Sequence, residues 1–160
     1  MTELATQSIR ELHACIIPWR SDCNLLLPGT IIADTLYHLD VVPFVHESDW
    51  VNGGVEWRGQ TIPLISFDQV PGLPAPVEDE NRRALICHTL SFNKQHAYIA
   101  IDFYRLPRLL FVDEASIEIL EGPSTNSAGD EDSSWPFFAK AEVRGSNSYI
   151  LDMKKLCSLI

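Results

Sequence analysis

The chain has 160 residues, 46% of them hydrophobic, enough for one domain that buries about two-thirds of its unfolded surface. Twelve Lys and Arg against 22 Asp and Glu give a formal charge of −10, which argues against nucleic acid as a partner because phosphate neutralisation needs clustered cations. The longest apolar runs, 25–27 and 109–112, fall far short of the roughly 20 residues that cross a bilayer. Residues 1–7 lack the basic and apolar regions of an export signal, so the expectation is a cytoplasmic protein with no membrane insertion.

In chain order, residues 1–12 read as a flexible lead-in, polar at first. Short apolar runs follow, each broken by Gly, Pro, Asn or Asp, which is the spacing of an all-β protein rather than of βαβ units. Ten strands are predicted over 13–19, 23–27, 30–38, 51–57, 60–67, 83–91, 95–104, 107–111, 137–144 and 148–151. Hairpin signals lie at Arg20-Ser21-Asp22, Arg58-Gly59, Phe92-Asn93-Lys94 and Gly145-Ser146-Asn147. Pro63 lacks a ladder donor, so its strand is expected to lie at a sheet edge or to carry a bulge there. Gly53-Gly54 lacks a phosphate-loop pattern and reads as a bulge or tight bend. The segment 30–37 has both helical spacing and β-branched content, which predicts a helical turn leading into a strand.

The proline-rich segment 70–80 and the acidic, turn-rich segment 121–134 are expected to be mobile loops. The first is expected to mark the boundary between two lobes. At the C-terminus Asp152 is placed to cap a short helix with an apolar stripe at Met153, Leu156, Cys157 and Ile160.

Local motifs for catalysis are missing. Cys15, Cys23, Cys87 and Cys157 form no CxxC and share no finger spacing with the five histidines, so free thiols and no metal or other cofactor are expected. His88 reads as an interior histidine, and Cys87 points to the opposite face of the same strand, so the two make no local nucleophile-base pair. The acidic clusters 78–80 and 130–132 lack the ligand alternation of a calcium loop and read as solvated surface. Trp57-Arg58-Gly59 stands apart, because an aromatic and an arginine at a hairpin tip are the residue types most enriched at protein interfaces. Glycine is expected to take up the positive φ there, leaving Arg58 in an ordinary conformation, free to meet a partner carboxylate or to pair with Glu56 or Glu142.

At this hairpin the sequence resembles the CheW-like family. Residues 50–67, with Trp57-Arg58-Gly59 followed by a strand containing Pro63, are similar to the family's apolar-x-G-x-x-x-x-R-G signature. Residues 23–28, 97–102 and 149–156 resemble the family's second strand, its strand ending in Val-Asp, and its last strand and helix. Glu56-Trp57 replaces the commoner Asn-Leu, and Ser66 and Phe103 replace an aspartate and a glycine of the family pattern.

The resemblance implies a mainly β fold over 13–160, built from two SH3-like five-stranded β-barrel subdomains that share a core, with a short C-terminal helix and mobile loops at 70–82 and 121–135. It also implies a non-enzymatic scaffold that couples the cytoplasmic tip of methyl-accepting chemoreceptors to the regulatory domain of a CheA-type histidine kinase. The departures resemble the small divergent members of the ChpC kind, from the system controlling type IV pili. Family receptor-contacting positions carry over to Ile32, Asp34 and Arg83 along the seam between subdomains, beside Trp57 and Arg58. The alternative kept open is a small cytoplasmic β-barrel ligand-binding module or enzyme whose site is assembled from distant residues.

Overall fold

Alternation explains the architecture: several runs are apolar at every position because both faces of the strand are buried, one inside its own curled sheet and the other against the second sheet. The computed structural model describes residues 12–20, 23–68, 70, 73, 82–121 and 136–160. The expected lead-in 1–12, apart from Leu12, and most of the loops 70–82 and 121–135 lie outside these residues. Leu12 already belongs to a strand, and Val70 and Leu73 pack on the central core.

Twelve strands form two six-stranded sheets. The first has the order β10-β11-β12-β2-β1-β9, from β1 (Leu12–Arg20), β2 (Cys23–Pro28), β9 (Arg108–Val112), β10 (Ile117–Glu121), β11 (Phe137–Val143) and β12 (Ser146–Leu151). The second has the order β3-β7-β8-β6-β5-β4, from β3 (Ile32–Leu36), β4 (Val41–Val42), β5 (Val51–Trp57), β6 (Gln60–Ile65), β7 (Arg83–His88) and β8 (Tyr98–Phe103). Neighbours are antiparallel except β12 with β2 and β6 with β8.

Each sheet curls around an inner cluster. Ala14, Ile16 and Leu26 face one inner cluster with Ala141 and Val143; Ile62, Leu64, Ala84, Ile86 and Ala100 face the other with Val55 and Trp57. The alternate residues of the same strands, among them Cys15, Ile17, Leu25, Leu27, Leu85, Cys87, Ile99 and Ile101, meet in a shared core between the sheets. Phe67 and Phe137 stack there with ring centroids 5.8 Å apart.

The predicted lobe boundary is corrected. Segment 66–82 joins β6 to β7 within one sheet; the chain changes sheet between β2 and β3, through a 3-10 turn at Gly29–Ile31, and again between β8 and β9. The first sheet is therefore assembled from both ends of the chain. The expected helical turn before a strand is present at that crossing. Two strands escaped the sequence reading: β4, which has only two residues, and β10.

Pro63 lies not at an edge but on β6, between β5 and β8. The β6–β8 pairing starts one residue later, at Leu64, and the irregularity is on the facing strand, where β5 carries an extra residue between Val51 and Gly54. Gly53 supplies the positive φ of that bulge, at 85°. The C-terminal helix α1 (Met153–Ser158) forms as read: the Asp152 carboxylate accepts the Lys155 backbone N–H at 3.0 Å, and Met153, Leu156 and Cys157 are buried.

Candidate partner-binding surface

The hairpin joining β5 to β6 has Trp57 opposite Gln60, so its loop is the two residues Arg58 and Gly59. Such a loop matches the right-handed twist of its strands when both central residues have positive φ, and here they do, at 47° and 77°. The expectation that Arg58 keeps an ordinary conformation is thus corrected: the strand twist forces arginine into the left-handed region as well. Arg144 and Gly145, between β11 and β12, repeat the device at 49° and 82°, one residue earlier than the turn predicted at 145–147.

Trp57 is not an exposed tip residue; it is 6% exposed and packs inside the second sheet. Its indole Nε1–H donates to Asp34 Oδ2 at 2.8 Å, and Tyr98 meets its ring edge-on at 4.8 Å. Because β3 is one edge of the sheet and β5 lies next to the other, this hydrogen bond ties the two flanks of the curl together. The second Asp34 oxygen accepts the Thr35 backbone N–H at 2.8 Å. The Trp57 hydrogen bond, then that of Thr35, hold the Asp34 carboxyl below its ordinary range, and the Arg58 charge acts in the same direction. Asp34 therefore positions Trp57.

Arg58 is exposed, its guanidinium 4.6 Å from the Trp57 ring centroid. Among the described residues the ion pairs are Arg20–Asp68 and Arg82–Asp102, so Arg58 is bound to neither Glu56 nor Glu142. Glu56 instead accepts the Thr61 hydroxyl. Arg58 thus presents a cation propped on an aromatic face, with its donors uncommitted among the described residues.

Ile32 and Arg83 form a second group. Ile32 pairs with Cys87 across β3 and β7, is half-buried, and packs against the shared core. Arg83 lies on the same face of β7 as Leu85 and Cys87, since residues alternate along a strand. It donates through Nη1 to the Tyr104 carbonyl, while its Nε is buried with no hydrogen-bond partner. Four strand positions separate Arg83 from the residue opposite Ile32, about 13 Å.

A third element was missed by sequence reasoning. Leu109 pairs with Cys15 and Phe111 with His13 across β9 and β1, and directly opposed residues share a face. Cys15 belongs to the shared core, so Leu109 and Phe111 continue that core face past β1 to the edge strand, where they are 75% and 53% exposed. His13 meets the Phe111 ring edge-on at 4.4 Å. The apolar face between the sheets thus runs out onto the surface.

All four cysteines are buried free thiols of the shared core. Burial pushes Cys15, Cys23 and Cys157 up to about 11 and Cys87 to about 12. Among the described residues no three His, Cys, Asp or Glu side chains cluster as metal ligands, and no helix is long and apolar enough to cross a membrane.

With this geometry in view, comparison with known proteins defines the class: the CheW-like domain profile matches residues 24–159, and the chain belongs to the CheW-like family. Among solved structures the fold is similar to that of the scaffolding protein TtCheW from Thermoanaerobacter tengcongensis, at a TM-score of 0.64 over 88% of each chain and 13% sequence identity. No curated protein matches the sequence.

Proposed function

We propose that the protein is a non-catalytic chemosensory scaffold that couples the cytoplasmic tip of chemoreceptors to the regulatory domain of a CheA-type histidine kinase, in a system of the ChpC kind that controls type IV pili. The observation that carries the reading is the shared-core face emerging at Leu109 and Phe111. An exposed apolar strip at a sheet edge marks a protein-docking surface, and Ile32 lies on the corresponding core face of the other sheet. Arg58 adds a charge-bearing anchor whose fork suits a partner carboxylate. An open depression of about 660 Å3 bordered by His88, Lys94 and Tyr98 has no carboxylate among the described residues that line it, which favours a scaffold over an enzyme.

The test is co-purification of the full chain with the kinase regulatory domain and, separately, with the receptor signalling tip of the same cell. Capture by both is expected, and Leu109→Asp should lose at least one partner while keeping a wild-type melting curve, since the side chain is three-quarters exposed. Capture by neither contradicts the proposal.

A further inference from the structure

The end of β1 carries a buried charge whose counterion, Asp68, is held only loosely. The Arg20 side chain is 7% exposed, yet its Nε has no hydrogen-bond partner and its Nη2 stands 3.7 Å from Asp68 Oδ1, beyond hydrogen-bond length. Asp68 is itself 70% exposed. A guanidinium taken out of water is costly unless its donors are satisfied, and here Nε is buried without a partner while Nη2 is held only loosely by Asp68.

Arg20 borders a polar cavity of about 280 Å3, lined also by Asn52, Arg82, Asp102 and Tyr104. Arg82 is committed through Nε and Nη2 to Asp102 Oδ2, at 3.0 and 2.8 Å. We propose that this cavity binds a small carboxylate anion, received by the Arg20 guanidinium. The volume lies just below the roughly 300–1,000 Å3 typical of drug-sized ligand sites. The two arginines and two aspartates of the lining cancel, so Asp68 and Asp102 repel a dianionic phosphate more strongly than a singly charged carboxylate. Arg20 belongs to the first sheet and Arg82, Asp102 and Tyr104 to the end of the second. A bound carboxylate would thus lie between residues of the two sheets, and its source is a free metabolite or a glutamate side chain of a docked protein.

The experiment follows the Arg20 Nε–Hε resonance of the 15N-labelled full chain, assigned by its loss in Arg20→Lys. The probes are sodium propionate and N-acetylglutamate N-methylamide, against sodium chloride and inorganic phosphate at matched ionic strength. Saturable displacement by the carboxylates alone supports the site, and Asp68→Asn, which removes the competing carboxylate, should tighten it roughly three- to tenfold. That titration stands even if the lysine variant fails to fold. Tighter binding of the glutamate analogue than of propionate identifies a protein side chain as the source; the reverse identifies a free anion. The proposal is overturned if chloride or phosphate moves the signal equally, if no probe saturates, or if only Asp68→Asn moves it, which would show that Asp68 itself occupies the guanidinium.

Discussion

Arg58 combines two roles that a single substitution can separate. Its φ of 47° is strained for any residue with a Cβ, whereas a Cβ added at the neighbouring Gly59 would meet no atom within 4 Å, so the strain belongs to the backbone rather than to crowding. Arg58→Gly should hold or raise stability, by up to about 1 kcal/mol, while partner binding falls by roughly 2 kcal/mol or more if the guanidinium is an anchor. Thermal melts beside binding isotherms decide: unchanged binding removes Arg58 from the interface. Asp34→Asn should act on stability instead. A carboxyl held below its ordinary range by Trp57 and Thr35 contributes stability that is present above the unfolded pKa, roughly 4, and is lost as pH falls through the lower folded value. Wild type should therefore lose stability below about pH 4 more steeply than Asp34→Asn, as read by denaturant unfolding across that range; parallel profiles would contradict the hydrogen bond.

Strands buried on both faces were legible because nothing else explains runs such as Ala84–Cys87 that are apolar at every position. The same pattern does not reveal the exposure of β9. Arg108-Leu109-Leu110-Phe111-Val112 looks equally core-like, yet β9 is an edge strand whose one face outruns the opposing sheet. Edge position is set by long-range pairing, which a local run does not encode. The Trp57–Asp34 contact was hidden for the same reason, being a bond across 23 residues between opposite flanks of a sheet. The β5 bulge was readable from Gly53-Gly54, and it carries its own prediction. A Cβ at Gly53 would stand 2.6 Å from Val41 Cγ1 with φ at +85°, so Gly53→Ala should cost roughly 1–3 kcal/mol in equilibrium unfolding and detach β4 first. A neutral substitution would contradict the bulge geometry.

Because the first sheet takes strands from both ends of the chain and the sheets share one core, the molecule should unfold as a single cooperative unit rather than lobe by lobe. The cysteines report on that unit. Buried in the shared core with thiols raised to about 11 and, for Cys87, about 12, all four should resist a thiol reagent at neutral pH in the native state and react together on denaturation; stepwise reaction would indicate separable lobes. On the proposed function, docking is the use to which this pair of sheets is put, with the interface where the shared core reaches the surface. The most direct measurement is amide chemical-shift mapping of the labelled chain on adding the receptor signalling tip and, separately, the kinase regulatory domain. One partner should perturb β9 around Leu109 and Phe111 together with Ile32 on β3, and one should perturb the Arg58-Gly59 turn, with the interior of β2 and β8 silent. Absence of saturable perturbation by either partner, or perturbation confined to other surfaces, would contradict the scaffold reading.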